Sequence, residues 1–244
     1  MKRTVMNSYS TITKFIEEFK DTSYYQNLLN SAEVVFIYMG GSMCSGITDE
    51  RSDYDIVIVT LNGESYIDAS RYEYLMYEGR KVHWYYRSIK GLFETNHKNM
   101  HAHTGAIWLR NLCDNMIIYE NPKYKDIWQD LYAVKDRLSD LGMYRLFEVQ
   151  KDYIDKVINE GKVLEKHYTK YLYHLCLASY YLTREESDKD FLRVLKRIRW
   201  QPVPDEYKQL AVKRLKILKN YIEAHPIELD RAFNDLYMEL NIQE

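Results

Sequence analysis

Apolar positions divide the chain into two regimes. Up to about residue 122 they form short runs rich in β-branched and aromatic residues; beyond it they recur at helical spacing. Val34, Val35, Phe36, Ile37 and Tyr38 make a nearly continuous apolar run, the pattern of a strand buried on both faces. A second run begins at Ser52-Asp53-Tyr54-Asp55 and continues through Ile56 to Val59, ending at Leu61-Asn62-Gly63. Tyr72 to Tyr77 and Lys81 to Tyr86 read as a hairpin turning through Glu78-Gly79-Arg80, and Asn115 to Glu120 as a last strand closed by Asn121-Pro122. Ahead of the first strand, Ile12, Phe15, Ile16 and Phe19 fall on one helix face, with Ser10 as its cap and a short helical piece ending near Leu28 and Leu29. Ala106 to Leu112 reads as a helix as well.

From Lys123 onward the strand signal disappears. Ile127, Leu131 and Val134 fit one helix, Leu138-Ser139-Asp140-Leu141-Gly142 reads as a break, and Tyr144 to Ile158 as the next helix. Val163 to Leu182, Phe191 to Arg199, Tyr207 to Ile222 and Ile227 to Leu240 complete the series, with Pro202 and Pro204 separating two of them. The fold class expected is therefore α/β (α+β). A mixed sheet flanked by helices occupies residues 1–122, and an all-helical bundle occupies 123–244.

Composition narrows the class only a little. With 244 residues, a formal charge of −2 and a sequence pI near 6.4, the chain has material for a sizeable core and is no uniformly basic nucleic-acid coat. Three scattered cysteines argue against a disulfide framework and for a reducing compartment. The opening MKRTVMNSYS has no apolar signal core and no run is long enough to span a bilayer, so a cytoplasmic protein without membrane attachment is expected. The 24 tyrosines are dispersed in the manner of amphipathic packing.

The chemistry concentrates between Tyr38 and Val59. Strand residues two apart share a face, so Asp53 and Asp55 point the same way, about 7 Å apart along the strand. Two neighbouring carboxylates repel unless a cation lies between them. Hard oxygen ligands suit Mg²⁺ (or Mn²⁺), which takes one or two protein carboxylates and fills its shell with water and substrate phosphate. Gly40, Gly41 and Ser42, at the end of the first strand, offer backbone N–H groups and a hydroxyl to phosphates. A phosphate cradle beside a metal-ligand pair is equipment for phosphoryl or nucleotidyl transfer.

Gly41-Ser42, ten intervening residues and Asp53-x-Asp55 on a strand resemble the signature of the DNA polymerase β nucleotidyltransferase superfamily. The resemblance implies transfer of a nucleoside monophosphate from a nucleoside triphosphate to an acceptor hydroxyl, with release of pyrophosphate. In it, Gly40, Gly41 and Ser42 hold the triphosphate, and Asp53 and Asp55 bind the metal and carry catalysis. It also implies a third acid from a later strand, where this chain has Lys81-Val82-His83-Trp84-Tyr85-Tyr86. His83 falls at that place. Three readings stay open: His83 is a substitute base, the acid comes from elsewhere (Glu73 or Glu94), or the site binds nucleotide without turning it over.

Thr169-Lys170-Tyr171-Leu172-Tyr173 is similar to a helix in the RlaP-like branch of that superfamily, which is associated with RNA repair. That similarity gives Lys170 a place on the triphosphate. Where the branch has an arginine shortly after, this chain has Cys176. Between Gly142 and Asn220, 17 lysines and arginines stand against 11 aspartates and glutamates, a local excess that suits an RNA end as acceptor and equally a solvated face. A catalytically impaired nucleotide-binding module, and transfer to a small molecule such as an antibiotic or to a protein side chain, remain as alternatives. His97, His101 and His103 have a spacing that zinc could use, but no cysteine accompanies them, and surface or substrate-facing histidines are the simpler account. The sequence does not give the oligomeric state.

Overall fold

The computed structural model describes residues 8–31, 33–44, 46–48, 52–62, 74–98, 109–112, 116–160, 169–198 and 203–240. By its internal contacts the chain divides into two compact units, one of Met1–Thr95, Ile107–Asp136 and Asp235–Glu244, the other of Asn96–Ala106 and Arg137–Asn234.

The first unit is built on a mixed five-stranded sheet, β1 (Val34–Met39), β2 (Tyr54–Thr60), β3 (Tyr74–Tyr77), β4 (Arg80–Ser88) and β5 (Ile117–Glu120), in the spatial order β3-β4-β2-β1-β5. Every residue of β1 is buried, as its continuous apolar run requires. It pairs antiparallel with β2, with Met39 opposite Ile56, and antiparallel with β5. β2 pairs in parallel with β4, and Asp55 stands opposite His83. β3 and β4 form the expected hairpin, Tyr77 opposite Arg80. Its two turn residues, Glu78 (φ 49°) and Gly79 (φ 76°), are both left-handed, the conformation a two-residue hairpin loop needs to match strand twist.

The alternation of side chains gives the sheet two different faces. On one, α1 (Ser8–Lys20) and α2 (Ser23–Ser31) cover an aromatic layer. Phe15 stacks on Tyr54 with centroids 4.4 Å apart, Phe19 and Tyr24 pack on Trp84 at 5.0 and 4.8 Å, and Tyr25 meets Tyr119 edge-on. The helix carrying Phe15 begins at Ser8, so Ser10 lies inside it and is not its cap. On the other face, Tyr132 of α5 (Lys125–Val149) meets Phe36 edge-on at 5.7 Å. That face also carries Asp55, Val57, His83, Tyr85 and Arg87, as the strand register requires. Two short helical pieces were not expected from the sequence or run differently from it: α3 (Gly41–Cys44) follows β1 directly, and α4 (Ile89–Lys98) follows β4.

The second unit is helical. It takes the latter part of α5, then α6 (Lys151–Glu160), α7 (Thr169–Thr183), α8 (Lys189–Arg197), α9 (Asp205–Ala224) and most of α10 (Leu229–Met238). The break expected at Leu138–Gly142 does not exist, because α5 runs unbroken through it. Leu138, Ser139 and Met143 are wholly buried there, and packing on both sides of Gly142 outweighs the roughly 1 kcal/mol that a mid-helix glycine costs. The chain turns instead at Gln150. Asp188 caps α8 by accepting the Phe191 amide at 2.9 Å.

Arg214, only 6% exposed, ties this unit together. Its guanidinium lies 4.2 Å from the Tyr180 ring centroid and donates to the Glu185 carboxylate, while its own carbonyl accepts the Ser179 hydroxyl at 3.1 Å. Arg214→Ala is expected to lower stability by about 2–3 kcal/mol, less than a fully buried pair would lose because Glu185 stays partly solvated. The midpoint of urea unfolding measures it, and a shift worth less than about 0.5 kcal/mol would show the guanidinium to be incidental.

Candidate active site

The site grows from the β1–β2 hairpin. The Gly40 amide donates to the Asp55 carbonyl at 2.6 Å, which closes the end of the hairpin and places Asp55 beside the glycine bend. Gly41 then turns with φ +67°, and its α-carbon lies directly against the Asp55 side chain. A β-carbon on Gly41 would fall 1.8 Å from Asp55 Oδ2 and 2.7 Å from its carboxyl carbon, so hydrogen alone fits. Ser42 follows in the first turn of α3, partly exposed.

Asp53 immediately precedes β2 and is 37% exposed; Asp55, within the strand, is 15% exposed. Both reach the imidazole of His83. Asp53 Oδ2 lies 3.9 Å from His83 Nε2, and Asp55 Oδ1 lies 3.4 Å from His83 Nδ1. One acid just ahead of β2, a second two residues on within it, and a histidine at the matching register of the parallel neighbour thus meet. Tyr85, two residues beyond His83 and on the same face, donates its hydroxyl to Asp55 Oδ1 at 3.2 Å. The Arg87 guanidinium lies 5.7 Å from the Tyr85 ring centroid, and its Nη1 donates to the Tyr86 carbonyl at 2.6 Å.

The hydrogen bond to Asp55 raises the His83 pKa above its ordinary value near 6.5, opposed by burial and assisted by the charges of Asp55 and Asp53. A folded-state pKa above the unfolded one adds stability that is complete below about pH 6.5 and is lost as pH rises through the raised value. The melting temperature of the wild type should therefore exceed that of His83→Gln by more at about pH 5.5 than at about pH 9. An equal gap at both would show that the ring does not charge against these acids.

Among the described residues, no group of three or more His, Cys, Asp or Glu side chains is placed to hold a metal ion. Mg²⁺ does not need one. Two converging carboxylates, one of them partly exposed, match the one or two protein ligands that this ion takes when phosphate and water complete its shell.

No family model matches the chain, and no curated protein does. Among solved structures, the chain is similar to a nucleotidyltransferase-like protein from Exiguobacterium sibiricum 255-15. The two share 14% identity over 92% of this chain and 79% of that one, with a TM-score of 0.36. A likeness this slight places no residue of one chain on the other, so each side chain is assigned from its own surroundings.

Of the residues singled out in the sequence, Asp53, Asp55 and His83 come together, and Gly40 and Gly41 abut Asp55. Lys170 lies in the first turn of α7, in the helical unit, and its side chain is outside the described residues, as are Glu73, His101 and His103. Glu94 lies on α4, partly exposed. Cys176 is wholly buried, and burial pushes its thiol pKa up. It is a core residue that supplies no charge. Tyr85 was not singled out, although its position two residues from His83 already fixed it to the same face. No helix among the described residues is long and apolar enough to cross a membrane.

Proposed function

We propose that the chain is a metal-dependent nucleotidyltransferase of the polymerase β type, with its chemistry on the sheet of residues 1–122. The convergence of Asp53 and Asp55 on one imidazole, with Asp55 seated against Gly41, is the observation that carries this reading. Gly40, Gly41 and Ser42 hold the triphosphate through backbone N–H groups and the serine hydroxyl. Asp53 and Asp55 hold Mg²⁺ or Mn²⁺, which when bound offsets charge on the phosphates and on the leaving pyrophosphate. The acceptor hydroxyl attacks the α-phosphorus, the bond to pyrophosphate breaks, and the proton passes to His83 or to a carboxylate outside the described residues. In the RlaP-like reading an RNA end is the acceptor.

A screen of α-labelled nucleoside triphosphates with Mg²⁺ or Mn²⁺ against pooled RNA, small alcohols and aminoglycoside-type antibiotics tests the proposal. Label transfer that EDTA stops is the expected result; transfer unchanged in EDTA would remove the metal from the scheme. A second reading rests on His83 itself, which stands where the resemblance places a carboxylate and pairs with Asp55. A nucleotide-binding module without turnover would show a Mg²⁺-dependent rise in melting temperature with nucleoside triphosphate and no pyrophosphate release.

A further inference from the structure

Nucleotidyl transfer needs a hydroxyl held at the catalytic acids, and this chain already holds one of its own there. Tyr85 presents its phenolic oxygen 3.2 Å from Asp55 Oδ1 and donates its proton to that carboxylate. The ring is partly exposed, so it is not sealed from solvent. His83 meets it edge-on with centroids 6.3 Å apart. The guanidinium of Arg87, a residue 8% exposed, lies 5.7 Å from the ring centroid. A phenol needs a base at its hydroxyl to become a nucleophile, and the Asp55 carboxylate is already there.

We infer that the chain nucleotidylates itself on Tyr85. The inference rests on the transferase reading and adds an acceptor class to it, a phenol. The Tyr85 oxygen attacks the α-phosphorus of the bound nucleoside triphosphate and forms a phosphodiester bond to the ring. The bond from the α-phosphorus to the bridging oxygen breaks, pyrophosphate departs, and the phenolic proton leaves along its hydrogen bond to Asp55 and passes on to His83, whose Nδ1 lies 3.4 Å from the same carboxylate oxygen. No oxidant or reductant is involved. An acceptor fixed within the site competes with diffusing ones at an effective concentration that reaches about 10⁵ M or more in well-oriented cases. Modification of Tyr85 is therefore the expected outcome when no external acceptor is present. It also removes the hydroxyl that holds Asp55, so the modified chain should transfer to other acceptors at least about tenfold more slowly, the scale of losing a ligand-orienting contact.

The experiment incubates the full-length chain with each α-labelled nucleoside triphosphate and Mg²⁺, with and without pooled RNA and small alcohols, and maps the label by peptide mass spectrometry. A single nucleotidyl group on the peptide bearing Tyr85, removed by phosphodiesterase, is expected. Label on another residue, or on an added acceptor with Tyr85 unmodified throughout, overturns the inference and leaves the transferase reading standing. Absence of pyrophosphate release under every condition overturns both.

Discussion

Asp55→Asn should abolish nucleotidyl transfer and leave the fold intact. The replacement has nearly the same shape, so it can still fill the space against Gly41, and its carbonyl oxygen can still accept the Tyr85 hydroxyl. What it loses is the negative charge that draws a divalent cation and the charged partner of His83. Removing a single electrostatic group of this kind from a reaction centre costs about 10²–10³ in rate, and losing a metal ligand adds to that, so a fall of at least about a thousandfold in kcat/KM is expected. A readout independent of turnover accompanies it. The His83 pKa, raised chiefly by the hydrogen bond to Asp55, should move back toward the ordinary histidine value in an NMR titration of the variant. Activity within a fewfold of wild type would refute the assignment of Asp55; an unmoved His83 would refute the contact.

Gly41→Ala is the other large effect. Two penalties combine at this position. A left-handed φ of +67° costs an alanine about 1–2 kcal/mol relative to glycine, and the added methyl would lie 1.8 Å from Asp55 Oδ2. That overlap cannot be absorbed in place. Either Asp55 swings away from His83, or α3 moves away from the end of β1. Both outcomes dismantle the site, so transfer should fall about as far as in Asp55→Asn, and stability should drop by about 2–4 kcal/mol. Gly79→Ala separates the two causes. Its φ is +76° and its β-carbon would meet nothing within 4 Å, so it carries the backbone penalty alone. Urea unfolding of both variants should show the larger loss at Gly41, with transfer retained in Gly79→Ala. Equal losses would mean that the contact with Asp55 is not tight.

The strands were legible because each signal was local. β1 announced itself by five adjacent apolar residues, and the β3–β4 hairpin by Glu78-Gly79, whose left-handed turn needs a residue without a β-carbon. The face shared by Asp53 and Asp55 followed from strand periodicity alone. Helix boundaries were less legible. Ser139, Asp140 and Gly142 look like a break because their preferences are local, whereas the burial of Leu138, Ser139 and Met143 that overrides them comes from residues distant in sequence. The register of β2 on β4 could not be read either, since a parallel pairing is set by a crossover and leaves no turn signature. That register is what brings His83 to Asp55. The same register sets the Tyr85 hydroxyl within reach of Asp55.

The parallel pairing of β2 with β4 has a kinetic meaning. Gly41 follows β1 and Asp55 lies in its antiparallel neighbour β2, so their contact closes over a short loop and can form early. His83 and Tyr85 arrive only after the intervening chain has crossed over and β4 has docked, a slower and more entropically demanding event. A nascent or partly opened chain would thus carry the glycine bend and its acid without the imidazole and phenol, and competence would be the last property acquired on folding and the first surrendered on local opening.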